Sequence, residues 1–173
     1  MQAKIQEEFR QWLWRDPDRG DRLMRDYNDR FNSIVPRRYD GAHLTFPGMG
    51  ADMPEISPHQ KNGAWRVVQG AIHGENTLLG HIVGAGKTFT MIGAGMELRR
   101  LGLRNKVLYT IPNHMLEQFS GDISKMYPGA KILMVAGENV GTAEKRQETL
   151  SRIATDDWDA VVVTHSAFGK IPV

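Results

Sequence analysis

The sequence predicts an α/β fold: a parallel sheet flanked by helices, preceded by an N-terminal helical hairpin. Two patterns carry this expectation. From about residue 57 onward, short runs that are apolar at every position alternate with stretches that are apolar every three or four residues. Strands buried on both faces and amphipathic helices leave those two signatures. The second pattern is the run His81-Ile82-Val83-Gly84-Ala85-Gly86-Lys87-Thr88, set between a short apolar run and a helical one. At 173 residues, 40% hydrophobic and 24% charged, the chain is long enough for one domain with a real core.

Residues 1–35 mix charges of both signs with apolar residues at helical spacing. Ile5, Phe9, Trp12 and Leu13 form one stripe, and Leu23, Tyr27, Phe31 and Ile34 a second. Asp16-Pro17-Asp18 separates them, because proline cannot continue a helix and aspartate suits the next cap. The expectation is a hairpin whose aromatics, Trp12, Trp14, Tyr27 and Phe31, serve as core or interface residues, with the hairpin joined to the domain behind it. Residues 36–57 hold Pro36, Gly41, Pro47, Gly48, Gly50 and Pro54. That density of turn residues predicts an irregular connector hugging the following domain.

The third segment, 58–173, opens with Ser57-Pro58, an N-cap followed by a first-turn proline. The helix it starts carries Trp65, Val67 and Val68. Thr77-Leu78-Leu79-Gly80 reads as a short strand. A helix follows from about residue 88 to residue 101, stopped by Gly102. Strands are expected over 107–111, 132–135 and 160–164. Helices are expected around Leu116, Phe119, Ile123 and Met126, and over 142–153.

Composition excludes several classes. There is no cysteine, which removes disulfides, thiolate metal sites and cysteine nucleophiles. Twenty-two basic against 20 acidic residues give a net charge of +2, which neither demands nor excludes nucleic acid. No apolar run approaches the roughly 18 residues of a membrane span, and the start MQAKIQEEFR is no secretory signal. A cytoplasmic protein with no membrane partner is expected. A two-lobe nucleic-acid motor needs well over ~250 residues, so this length predicts one lobe, incomplete as a motor.

The run at 81–88 has the residues of a phosphate loop. Gly84 and Gly86 let backbone N–H groups approach phosphate oxygens with no Cβ in the way, and Ala85 lies between them. Lys87 is placed for the β- and γ-phosphates and the Thr88 hydroxyl for Mg²⁺, with a helix N-terminus aimed at the same anion. His81 stands where the full pattern has glycine. ATP and Mg²⁺ are the expected cofactors. Hydrolysis also needs a strand ending in an acidic pair, and Val161-Val162-Val163 leads instead into Thr164-His165-Ser166. The chain holds half of a motor site, and ATP turnover by these residues alone is not expected.

The loop HIVGAGKT, the upstream SPHQKNGAWR and the downstream YTIPNHMLEQF stand in the order found in superfamily-two helicases. The likeness is to the Swi/Snf type and, more narrowly, to the start of the helicase region in phage and plasmid methylase-helicase proteins. WLWRDPDR, GMELRRLGL and WDAVVVTHSAFGKIP resemble that group as well. This resemblance implies a RecA-like P-loop lobe over 58–173 that ends ahead of the acidic motif II. It implies that Gln60 reads the adenine edge, and that Gly84 to Thr88 form motif I. Asn113 and His114 fall in motif Ia, and Thr164, His165 and Ser166 in motif Ib, the motifs that touch the nucleic-acid backbone.

Read without the resemblance, several of these residues keep two meanings. Gln60 carries the donor and acceptor an adenine edge wants, or is a solvated helix residue. Asn113 and His114 follow a strand end, where ligands gather, or Asn113 simply caps a helix. The basic run Arg99, Arg100, Arg104 and Lys106 either attracts phosphates or answers a helix C-terminus. Two functions remain. One is the ATP-binding first lobe of a DNA helicase or translocase, with a partner supplying the missing lobe. The other is a helicase homologue from a mobile element that binds and inhibits a nucleic-acid-processing or defence complex. A small P-loop kinase is a third and weaker fit, with no lid arginines.

Overall fold

The computed structural model describes residues 2–33 and 37–171. The chain divides into two units, Met1–Arg38 and Tyr39–Val173. Ile34 and Pro36 lie outside the described residues.

In the first unit, α1 runs Gln2–Trp14 and α2 Pro17–Tyr27, the latter passing into one wider π-type turn over Asn28–Asn32. Asp16 caps α2, its carboxylate accepting from Arg19 N, with Pro17 in the first turn. The local chemistry at the break is therefore what the sequence predicts. The expected aromatic core is not found. Trp12 is 46% exposed, Trp14 60%, Tyr27 57% and Phe31 68%, and Gly20 is the one buried residue of α1 and α2. The two helices leave an open groove of about 430 Å³, lined by Phe9, Leu13, Trp14, Leu23, Tyr27 and Phe31 among others. The rings instead pair at the surface, Phe9 stacked on Trp12 at 5.8 Å and Tyr27 tilted against Phe31 at 5.0 Å. The Arg19 guanidinium covers Trp12 at 4.1 Å from the ring centre.

The second unit begins with the connector, which is irregular and packed. Leu44, Phe46 and Ile56 are buried in the main core. Gly50 N donates to Met126 O and Gly41 N to the Asn62 side chain. Then follow α3 (Pro58–His73), α4 (Lys87–Arg100), β1 (Val107–Ile111), α5 (Leu116–Met126), β2 (Ile132–Val135), α6 (Ala143–Thr155), β3 (Ala160–Thr164) and the single turn α7 (His165–Phe168).

The sheet is parallel, in the order β1-β3-β2. Val107 pairs with Ala160 on one side of β3, and Ile132 with the same residue on the other. All five residues of β3 are buried, as expected of a central strand covered on both faces. Ala160 and Val162 join Tyr109, Ile111, Phe119, Ile123 and Met126 in the core on one face. Val161 and Val163 join Leu133, Val135, Val140 and Ala167 on the other. Alternation along β3 thus divides the core in two.

Thr77–Gly80 is not a strand. The segment is held to α3, with Thr77 Oγ1 donating to Arg66 O and lying 2.6 Å from where a Cβ on Gly70 would stand. Leu78 is 85% exposed. An apolar run becomes a strand only when a neighbour completes its ladder, and among the described residues none does. The basic run at the end of α4 is spent internally. Arg99 bridges Asp157 and Asp159, Arg100 grips the buried Glu97 at 2.7 Å, and Lys106 caps α6 through Ile153 O and Ala154 O. The Arg99 guanidinium holds the Asp157 carboxyl below the usual carboxylate range.

Candidate nucleotide site

The loop between α3 and α4 is shaped by two glycines in the left-handed region, Gly84 at φ +83° and Gly86 at φ +73°. Gly86 is the N-cap of α4, and Lys87 is its first residue. The Gly86 carbonyl accepts from the Thr90 backbone N–H at 3.0 Å and from its hydroxyl at 3.2 Å, fixing the start of the helix. The Lys87 ammonium folds back over the loop and donates to His81 O at 2.9 Å and Ile82 O at 3.0 Å. A lysine so held keeps the loop closed around the space above the helix end.

Gln60 is 9% exposed and therefore not a solvated helix residue. It is the N3 residue of a capping box at the start of α3. Its Oε1 accepts from Ser57 N at 2.9 Å and from the Ser57 hydroxyl at 2.7 Å, and its Nε2 donates to Gly86 O at 3.4 Å. One amide thus ties the start of α3 to the phosphate loop. His59 makes a second tie, its Nε2 donating to Ala85 O at 2.9 Å. The His81 ring packs edge-on to His59, with centroids 5.5 Å apart. These elements border a cleft of about 280 Å³ lined by Glu55, Ile56, His59, Gln60, Gly84 and Phe89 among others. Glu55, Ile56, His59 and Phe89 were not singled out from the sequence. His59 and Phe89 adjoin residues that were, and that adjacency is the signal available.

The glycines fit a phosphate group. A Cβ on Gly86 would lie 2.0 Å from Gln60 Nε2, so a side chain fits there only if the Gln60 amide moves, while Gly84 faces open space. Thr88, in the first turn of α4, is half-buried. No cluster of three His, Asp or Glu side chains suited to a metal ion occurs among the described residues.

The residues expected to touch nucleic acid lie at the C-terminal ends of the adjacent strands β1 and β3. Asn113 follows β1 and Ser166 follows β3, and the Ser166 hydroxyl donates to Asn113 Oδ1 at 2.9 Å. Asn113, His114, His165 and Ser166 are exposed. Thr164 is 2% exposed, and its hydroxyl accepts from Ala167 N as the cap of α7. Four of these five residues thus present a surface, and Thr164 supports it from beneath.

A family model described as a probable helicase domain matches residues 71–173, which takes in the phosphate loop and all three strands. The chain belongs to this probable helicase domain family. A second model, described as a domain of unknown function, matches residues 1–33. Defense against restriction protein B of Escherichia phage P1 is 26% identical over 117 residues, which is 68% of this chain and 5% of that protein. The Sulfolobus solfataricus SWI2/SNF2 ATPase core, solved in complex with dsDNA, matches with a TM-score of 0.52 and 18% identity. That match covers 76% of this chain and 23% of the solved chain. The chain therefore spans a small part of both relatives, and the structural likeness speaks for the fold. Together they bear out the resemblance to helicases, and the fold is similar to that of a SWI2/SNF2 ATPase core.

Proposed function

We propose that residues 58–173 form a RecA-like lobe that binds ATP, the first lobe of a DNA helicase or translocase-like protein. The observation that carries this reading is the loop at 84–87. Two left-handed glycines turn the loop, a lysine opens the helix behind them, and Gln60 locks the arrangement. The α and β phosphates would rest on the amides of Gly84, Gly86 and Lys87, the Ala85 amide being bonded to Ile82 O within the loop. Lys87 would exchange its two carbonyl partners for the β- and γ-phosphates, and Thr88 would ligate Mg²⁺. The adenine would enter the cleft beside Phe89. Gln60 contributes by fixing Gly86, and it reads the base if its Nε2 leaves the long 3.4 Å contact for the adenine edge. DNA would lie along Asn113, His114, His165 and Ser166, because the dsDNA-bound relative shares this fold.

A thermal shift tests the nucleotide claim. A ligand present at about 100 times its Kd stabilises by about 2.7 kcal/mol, which for a domain of this size raises Tm by roughly 5–10 °C. ATP with Mg²⁺ is expected to give such a shift and AMP almost none, since AMP lacks the phosphates that Lys87 reaches. Equal shifts from both, or none from ATP, would contradict the reading.

One observation favours a second reading. The phage relative is named for defence against restriction, which suits a chain that binds and inhibits a defence complex. Retained inhibition by a Lys87→Ala variant, in a restriction assay, would separate that role from nucleotide use.

A further inference from the structure

We propose that the chain pairs with a second copy of itself through the outer edge of β2, forming an antiparallel ladder that joins two three-stranded sheets into one. β2 is an edge strand, since β3 pairs with it on one side only. Its sequence, Ile132-Leu133-Met134-Val135, contains none of the charges or prolines that normally blunt an exposed edge. Lys131 O accepts from Ala160 N, so residues 131, 133 and 135 turn their backbone groups toward β3. Ile132 and Met134 therefore turn theirs outward.

That outward pair is self-complementary. A two-fold axis at Leu133 sets Ile132 of one copy opposite Met134 of the other, and both of these residues carry free donors and acceptors. Four ladder hydrogen bonds result. Directly opposed residues share a face of the sheet, so the half-exposed Met134, at 51%, covers the partly buried Ile132 of the second copy.

The space beside the strand fits the same occupant. A groove of about 430 Å³ runs between β2 and α5, lined by Glu117, Ser120, Gly121, Ser124, Ile132 and Met134. Small residues on α5 leave room for a long, flexible methionine. A Cβ on Gly121 would meet nothing within 4 Å, and the buried Ser120 hydroxyl has no hydrogen-bond partner. α5 runs antiparallel to β2, which puts Glu117 at the Met134 end of the groove.

The test is the solution mass of the 173-residue chain by light scattering, from about 2 to about 200 µM, the range for a small interface of micromolar affinity. The wild type is expected to rise with concentration from 19.5 kDa toward twice that mass. Met134→Lys charges the centre of the ladder at an exposed position, so it should remain monomeric throughout with an unchanged melting curve. Leu108→Lys, on the opposite edge strand β1 where Leu108 is 45% exposed, should still dimerise. A wild type that stays monomeric at about 200 µM would overturn the proposal. So would a Met134→Lys variant that still dimerises, as association through the apolar face of the helical hairpin would produce. Loss of the dimer in Leu108→Lys alone would overturn it too.

Discussion

Gly86→Ala is expected to disable the nucleotide site and lower the stability of the second unit together. The position is left-handed, at φ +73°, where a Cβ costs about 1–2 kcal/mol. The new methyl would also lie 2.0 Å from Gln60 Nε2. That amide can swing away only by giving up its capping contact with Ser57, and a lost cap costs about 0.5–2 kcal/mol. The sum is roughly 1.5–4 kcal/mol, seen in denaturant melts as an earlier midpoint with an unchanged slope. Binding should suffer more. If two amide–phosphate contacts of ~1.5 kcal/mol each are lost, ATP affinity falls by roughly 100-fold. Gly84→Ala separates the two effects, because its Cβ would meet nothing within 4 Å and the left-handed φ is its only cost. A Gly86→Ala protein as stable as wild type would show that Gln60 is not locked against this loop.

Ile123→Ala is expected to cost 2–5 kcal/mol, in the range of buried isoleucine truncations. Ile123 is fully buried on α5, in the core cluster formed with β1 and β3. With close-packed neighbours such as Phe119 and Met126 held by α5 itself, the cavity has little means of collapsing. Against a typical total stability of about 5–15 kcal/mol, the variant would be marginal. Urea titration followed by circular dichroism measures the loss. A cost under about 1 kcal/mol would place Ile123 outside the core.

Much of the fold was legible because local chemistry and tertiary packing agree. Ser57-Pro58 opens α3, Asp16-Pro17 opens α2, and Gly102 ends α4 in the left-handed region. The apolar runs at 107–111, 132–135 and 160–164 became strands at those bounds. The run at 77–80 did not, although Leu78 and Leu79 stand together in it. Strand formation depends on a neighbour that a local reading does not see, and here Thr77 bonds to α3 instead. The aromatic stripe of the hairpin failed as a core prediction for a related reason. Periodicity reports a face, and a face needs an opposing element before it is buried.

The candidate site was legible in part. The loop residues were readable from 84 to 88 because glycine geometry and lysine chemistry are local. The contacts of Gln60 with Gly86, His59 with Ala85 and Ser166 with Asn113 span 26, 26 and 53 residues. Separations of that kind leave no trace in spacing. Gln60 also shows how one residue answers two questions, since its capping role and its loop role use different ends of the same amide. The basic run at 99–106 illustrates the converse. Its charges pair with acids and helix carbonyls of the same unit, which composition alone does not disclose.

The measurement that bears most directly on the account is calorimetric titration of ATP with Mg²⁺ into the wild-type chain and into Lys87→Ala. Lys87 supplies the charge that would face the β- and γ-phosphates, and a charge-assisted contact is worth about 1.5–3 kcal/mol. Saturable one-site binding to the wild type is expected, weakened by roughly 10- to 100-fold in the variant. Equal affinity in the two proteins, or no heat from either at millimolar ATP, would contradict it.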